Sequence, residues 1–160
     1  MDGRVLTGPN AVAGEWGHNG LPRPTPDEVP GPPCYCGLAG CIETFLSGPG
    51  LARDHASHAG EALPPAEIAA RADAGDGAAD RSLLRYEDRM ARALASVINM
   101  LDPDVIVLGG GMSNVSRLYT NVPRLWSAYV FSDRVDTKLV PPRFGDSSGV
   151  RGAAWLWAGE

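Results

Sequence analysis

Apolar residues recur at steps of three, four or seven along the middle of the chain, from about Ala78 to Leu101. This spacing places them on one face of an α-helix, so it predicts a long amphipathic helix. The residues that form this face are Leu83, Met90, Leu94, Val97, Ile98 and Leu101. Asp102-Pro103 then ends the helix, because a proline disfavours helical backbone in the residue before it.

The second half of the chain continues with an unbroken apolar run, Val105-Ile106-Val107-Leu108. Such a β-rich run is typical of a strand buried on both faces of a parallel sheet. Three glycines follow it, and "VSRLYTNVPRLWSAYV" predicts a helix that Pro123 could interrupt. The segment "DTKLVPPRFG" predicts an edge strand, and "SSGVRGAAWLW" predicts an apolar helix. Helix, strand and helix around a glycine turn indicate an α/β fold.

The first half of the chain is less regular. Residues 4–13 predict a short strand and a turn, and residues 14–41 predict a long loop without periodicity. A short helix begins at about Ile42, "LARDHASH" continues as helix, and "PPAEIAARADAG" predicts another. Asp2-Gly3 is a hairpin signal with only Met1 before it. We therefore expect the chain to begin partway through a domain.

Composition limits the class of protein. A length of 160 residues with 44% apolar residues suits one domain with its own core. The net charge of −5 and the pI of about 5.1 predict no nucleic acid or anionic membrane as a partner. No apolar run approaches the roughly 18 residues of a membrane span, and the chain start lacks the pattern of a signal peptide. These observations predict a cytoplasmic protein.

All three cysteines of the chain lie within eight residues, in the pattern H-x15-C-x-C-x4-C. The residues of this pattern are His18, Cys34, Cys36 and Cys41. An odd number of clustered cysteines fits metal binding better than a disulfide framework. Three thiolates and one imidazole are a preferred donor set of structural Zn²⁺, and four protein ligands leave no position for water. The alternative is that these are ordinary buried thiols beside a surface histidine.

Two glutamates and three glycines are further candidates for a binding site. Glu15 and Glu43 flank the cysteine pattern, and carboxylates orient the hydroxyl groups of a sugar or polyol. Alternatively, Glu15 is a surface charge and Glu43 complements a helix dipole. Gly109, Gly110 and Gly111 would let a nucleotide-sized ligand approach the backbone. An ordinary strand-to-helix turn explains these glycines equally well.

Four segments in this order resemble the ROK family (repressor, open reading frame, kinase), and most closely its fructokinase/mannokinase branch. They are "GPNAVAGEWGHNGLP", "CYCGLAGCIETFLSGPGL", "LDPDVIVLGGGMSN" and "GDSSGVRGAAWLW". The resemblance implies the C-terminal lobe of an actin-like, ribonuclease H-like fold with an inserted zinc-binding loop. It also divides the chain into a zinc- and sugar-binding loop over residues 14–48 and a nucleotide-side α/β segment over residues 78–160. "EWGHN" and "CYCG" favour a fructokinase over an N-acetylglucosamine kinase.

The resemblance also implies roles for the candidate residues. His18, Cys34, Cys36 and Cys41 would bind zinc, and Glu15, Glu43 and His18 would contact the sugar, with fructose as the expected hexose. Gly109–Gly111 would line the adenosine side of ATP, which family members use with Mg²⁺. A homodimer, or pairing with an N-terminal half, is implied as the assembly.

One departure from the family affects the expected activity. The Asp-x-Gly-Gly-Thr phosphate loop and the aspartate that accepts the proton of the sugar hydroxyl are absent from the sequence. We therefore expect the N-terminal lobe to lie outside this sequence and the chain alone to be inactive as a kinase. Two alternatives remain open: the sugar-sensing half of a ROK transcriptional repressor, and a non-catalytic zinc-stabilised sugar-binding module.

Overall fold

The computed structural model describes residues 5–155, so the Asp2-Gly3 turn and the last five residues lie outside the described part. The described residues form six α-helices and two short β-strands. The helices are α1 (Ile42–Phe45), α2 (Gly48–Ala59), α3 (Pro65–Asp73), α4 (Gly77–Leu101), α5 (Leu118–Trp126) and α6 (Ser148–Trp155). The strands are β1 (Val105–Val107) and β2 (Lys138–Val140).

Helix α4 is the long helix that the apolar periodicity predicts, and its ends follow from its capping residues. The Asp76 carboxylate accepts hydrogen bonds from the Ala78 and Ala79 backbone N–H groups, which satisfies donors that a helix start leaves free. At the other end Asp102 takes a left-handed backbone conformation, with φ of 44°. Most of the predicted apolar face is buried, but Leu101 remains exposed.

The core forms where α2, α3 and α5 pack around α4. Leu51 from α2, Ile68 from α3 and Leu118 from α5 are all fully buried, as is Trp126 at the end of α5. Pro123 lies within α5 without ending it, so the interruption expected there does not occur. The helical part of the chain therefore has a contiguous core of its own.

The two strands pair in parallel, with Ile106 opposite Leu139. The expectation that β1 is buried on both faces is wrong, because Val105 and Val107 are 47% and 57% exposed. Only the opposite face of this pair, with Leu139 and the half-buried Ile106, packs on the helical core. Within residues 5–155, no second layer covers the outer face of β1.

Two further expectations differ from the structure. Residues 5–13 form no strand, although turns occur there. The glycine loop leads into a 3₁₀ turn, Gly111–Asn114, and the helix expected directly after it begins later, at Leu118. The helix predicted over "SSGVRGAAWLW" is present as α6, which has no buried residue. Among the described residues, none of the helices combines the length and apolar character that crossing a membrane requires.

Candidate metal centre and its acidic rim

The long loop before α1 folds back on itself and brings its two ends together. A 3₁₀ turn, Trp16–His18, begins it, and Gly20 forms an antiparallel bridge with Cys41. The Ile42 backbone N–H donates to the Asn19 carbonyl at 2.8 Å, which ties the start of α1 to the same turn. These bonds place the imidazole of His18 beside the cysteines, although 15 residues separate it from the first of them.

The structure brings together the four predicted ligands, His18, Cys34, Cys36 and Cys41. One donor atom from each lies within 4.8 Å of all the others. The Cys36 and Cys41 sulfurs are 3.6 Å apart, and the Cys34 sulfur is 3.5 Å from His18 Nδ1. A zinc tetrahedron has edges of about 3.8 Å between sulfurs and about 3.6 Å from sulfur to nitrogen. The donor set and its spacing therefore fit Zn²⁺.

The three thiols differ in their surroundings. Burial raises the pKa of Cys41 to about 12, because only 1% of this residue is exposed. The pKa of Cys36 is lowered to about 7, chiefly by a hydrogen bond from the Leu38 backbone N–H. A zinc ion held by these residues would take the place of the thiol protons, so its binding would release protons.

Both candidate glutamates lie against the imidazole of His18. A Glu15 oxygen is 4.0 Å from His18 Nε2, and a Glu43 oxygen is 3.9 Å from Nδ1. The Glu15 and Glu43 side chains are 64% and 37% exposed, so both carboxylates can reach a ligand in solvent. The Cys34 thiol also donates to a Glu43 oxygen at 3.4 Å. The cluster thus carries an acidic rim on its open side.

A buried ion-pair network holds this loop on α4, and the sequence analysis does not identify it. Glu28 ends a 3₁₀ turn, Pro26–Glu28, and accepts hydrogen bonds from Arg89 and Arg92 of α4 at 2.7 to 2.9 Å. Arg92 also donates to the Arg23 carbonyl in the loop. The spacing Thr25-x-x-Glu28 is a capping-box pattern that could have located the turn, though not its partners on α4.

Two glycines let the loop backbone cross itself between the cysteines and this network. A Cβ atom on Gly31 would lie 2.6 Å from the Gly40 Cα atom, and one on Gly40 would lie 2.8 Å from the Pro30 carbonyl oxygen. Both glycines have positive φ, at 80° and 72°. A side chain at either position would therefore push apart the two segments of the loop that cross here, one of which carries the cysteines.

Gly31→Ala is expected to lower the free energy of unfolding by about 1–3 kcal/mol and to weaken zinc binding, because it adds strain and a backbone clash. The matched control is Gly60→Ala at the end of α2, which has φ of 74° but open space around the added Cβ. The control should lose stability without losing zinc affinity. Chemical denaturation and competition with a zinc chelator measure the two effects, and equal zinc affinity in both variants would contradict the account.

The glycine loop lies across a cleft from α3. Gly109, Gly110 and Gly111 line this cleft of about 880 Å³, with Ser47 and Asp73 among the residues of its other wall. All three glycines are exposed. Helix α1 spans four residues, or about 6 Å. It carries Glu43 of the acidic rim and ends beside Ser47, so the rim and the cleft are neighbours.

The fold and this site define an α/β domain with a Cys₃His cluster, an acidic rim and an adjoining glycine-lined cleft. The family model described as "ROK family" matches residues 1–160, so the chain belongs to the ROK family. This confirms the resemblance and the α/β, actin-like (ribonuclease H-like) fold class.

The relatives show how much of a whole protein this chain represents. It is 35% identical over 164 residues to the N-acetyl-D-glucosamine kinase of Yersinia pseudotuberculosis serotype O:1b, covering 100% of this chain and 54% of that protein. The ROK hexokinase structure from Thermus thermophilus superposes with a TM-score of 0.78 at 32% identity, covering 96% of this chain and 50% of that chain. The chain thus spans about half the length of the curated relatives it matches.

A regulator of the same family has a similar structure. This ROK family transcriptional regulator, a homologue of the Escherichia coli MLC protein, superposes with a TM-score of 0.77 at 30% identity. The match covers 98% of this chain and 41% of the regulator. The curated relative above is an N-acetyl-D-glucosamine kinase, so it does not support the expected preference for fructose.

Proposed function

We propose that this chain is the sugar-binding part, with one wall of the nucleotide site, of an ATP-dependent hexose kinase. The observation that carries the proposal is the pair of carboxylates of Glu15 and Glu43. Each lies within about 4 Å of the imidazole of His18, which belongs to the Cys₃His cluster. Carboxylates accept hydrogen bonds from hydroxyl groups, and a rigid support fixes which hydroxyl each one meets. The kinase names of the relatives support the same interpretation.

Zinc has a structural role in this proposal. His18, Cys34, Cys36 and Cys41 would hold it, and the bound ion would fix the loop so that the rim keeps one geometry. With a metal bound, Cys34 would be a thiolate and would no longer donate to Glu43. The freed carboxylate oxygen can then accept a hydrogen bond from a sugar hydroxyl.

The glycine cleft would take the adenosine side of ATP, whose phosphates bind Mg²⁺ in phosphoryl transfer. Gly109–Gly111 carry no side chains, so a flat base can lie against their backbone. The two sites adjoin through α1, which carries Glu43 and is followed by Leu46 and Ser47 of the cleft. Sugar and nucleotide should therefore influence each other's affinity.

The first test measures sugar binding by the zinc-loaded chain with an NMR titration. We expect N-acetyl-D-glucosamine, D-glucose or D-fructose to bind, and Glu43→Gln to weaken that binding about tenfold or more while zinc content stays at one ion per chain. The matched control is Glu67→Gln, which changes an exposed carboxylate paired with Arg71 on α3. Equal sugar affinity in the two variants would contradict the proposal.

The second test concerns catalysis and the nucleotide. The chain alone should phosphorylate none of these sugars, because the sequence contains no Asp-x-Gly-Gly-Thr phosphate loop. A non-hydrolysable ATP analogue should nevertheless change sugar affinity. Phosphorylation by the chain alone would refute the first statement. A sugar affinity that does not change when the analogue is added would favour the second candidate, the sugar-sensing half of a regulator. The structural similarity to the MLC homologue supports this candidate.

A further inference from the structure

Tyr35 stands between two of the candidate zinc ligands and reaches back over the imidazole of His18. Its hydroxyl oxygen is 2.8 Å from His18 Nε2. The two rings meet edge to face, with their centroids 5.0 Å apart and an angle of 89° between their planes. The residue is nevertheless 84% exposed, so little else holds the ring in place. The sequence offers no signal for this contact beyond the position of Tyr35 beside a cysteine.

The two imidazole nitrogens have different surroundings. Nδ1 faces the cluster, 3.5 Å from the Cys34 sulfur, so it is the nitrogen that can bind the metal. With Nδ1 bound to a metal, the ring proton is on Nε2, and this N–H can only donate. The Tyr35 hydroxyl therefore accepts the hydrogen bond from Nε2, and its own O–H remains free to donate.

A sugar hydroxyl at this position would make the same bond. It would accept from Nε2 and donate its own proton to a neighbouring carboxylate, of which Glu15 lies 4.0 Å from Nε2. With Nδ1 bound to a metal, Nε2–H is the one hydrogen-bond donor of the imidazole, and the Tyr35 hydroxyl already accepts from it. A sugar that uses this donor has to displace the phenol first.

We propose that Tyr35 is a gate residue of the sugar site, whose hydroxyl competes with a sugar hydroxyl for His18 Nε2–H. The inference rests on the proposed function, because it assumes that a sugar binds against the acidic rim. The exposure of the Tyr35 ring indicates a movable gate and not a fixed part of the site, because a side chain in solvent can turn away at little cost. Displacing one neutral, exposed hydrogen bond should change sugar affinity by about two- to tenfold.

The test compares two variants that each lose one phenol oxygen. Tyr35→Phe keeps the ring but removes the hydroxyl that bonds His18. The matched control, Tyr129→Phe, removes a hydroxyl that donates to Asp88 of α4 at 2.8 Å and takes no part in the cluster. Both variants should retain one zinc per chain. Sugar titrations of the zinc-loaded chains, followed by NMR with each of the three sugars named above, give the dissociation constants.

We expect Tyr35→Phe to bind the sugar about two- to tenfold more tightly than the parent chain and Tyr129→Phe to match the parent. In the parent, the Tyr35 ring resonances should also move when sugar is added. An affinity of Tyr35→Phe that equals the parent's, or is weaker, would overturn the gate and leave the sugar site intact. A parent and variants that all fail to bind any sugar would overturn the proposed function together with the gate.

Discussion

Removing zinc with a chelator is expected to disorder the parts of the loop around His18 and around residues 34–41 and to abolish sugar binding, while the helical core stays folded. Residues 14–41 form 3₁₀ turns and isolated bridges but no α-helix or β-strand, so little regular structure supports them. Structural zinc contributes on the order of 10–16 kcal/mol of binding free energy in zinc-finger peptides, so its loss is the largest change expected in this chain. By contrast, the buried residues of the core around α4 lie between Leu51 and Leu139, outside the loop, and only the half-buried Trp16 of the loop packs against them.

Amide hydrogen exchange measures this effect segment by segment. The loop amides should lose protection after chelation, and those in the middle of α4 should keep it. Adding zinc back should restore both loop protection and sugar binding, which separates metal loss from irreversible damage. Metal analysis must first show that the zinc has been removed. Loop amides that remain protected in that zinc-free chain would contradict this account.

Glu28→Gln is expected to lower the free energy of unfolding by about 3 kcal/mol. Glu28 is 6% exposed and its carboxylate sits between two buried arginines. Its loss removes the carboxylate that they share and leaves Arg89 with Asp54 and Arg92 with Asp88, so buried positive charge is only partly compensated. The matched control is Glu67→Gln, which makes the same chemical change in an exposed pair with Arg71. Denaturant unfolding of the control should show a loss of less than about 1 kcal/mol.

The same residue predicts a pH dependence. Burial alone would raise the pKa of Glu28, but hydrogen bonds from Arg92 and Arg89 outweigh it and lower the pKa to about 2 from an ordinary value of 4.5. Because the folded pKa is the lower one, this contribution to stability is complete above about pH 4.5 and is lost as the pH falls toward 2. The difference in unfolding free energy between parent and Glu28→Gln should therefore shrink over this range. A difference that stays constant would count against the ion pairs.

Local signals in the sequence predicted much of the helical structure and the cluster. The apolar period and the proline after Asp102 located α4 to within about one residue, because capping and periodicity act over a few residues only. Three cysteines in eight residues located the cluster, since ligands of one small ion must be close in space. In both cases, the residues that carry the signal are close together in the sequence.

Other features depend on contacts between distant segments. Glu28 and Arg89 are 61 residues apart, and the chain has 14 Lys and Arg residues, so no pattern identifies the partner. The apolar run of β1 predicted burial on both faces, but burial depends on what covers a strand, and only one face is covered among residues 5–155. The expected preference for fructose depends on two short motifs, "EWGHN" and "CYCG", and the N-acetyl-D-glucosamine kinase named above does not support it.

The coordination of zinc in the purified chain, determined by metal analysis and X-ray absorption spectroscopy, tests the central claim most directly. We expect one zinc ion per chain, with three sulfur neighbours at about 2.3 Å and one nitrogen neighbour at about 2.0 Å. A chain purified without chelators that holds no zinc, or an ion whose neighbours are mainly oxygen, would contradict the account.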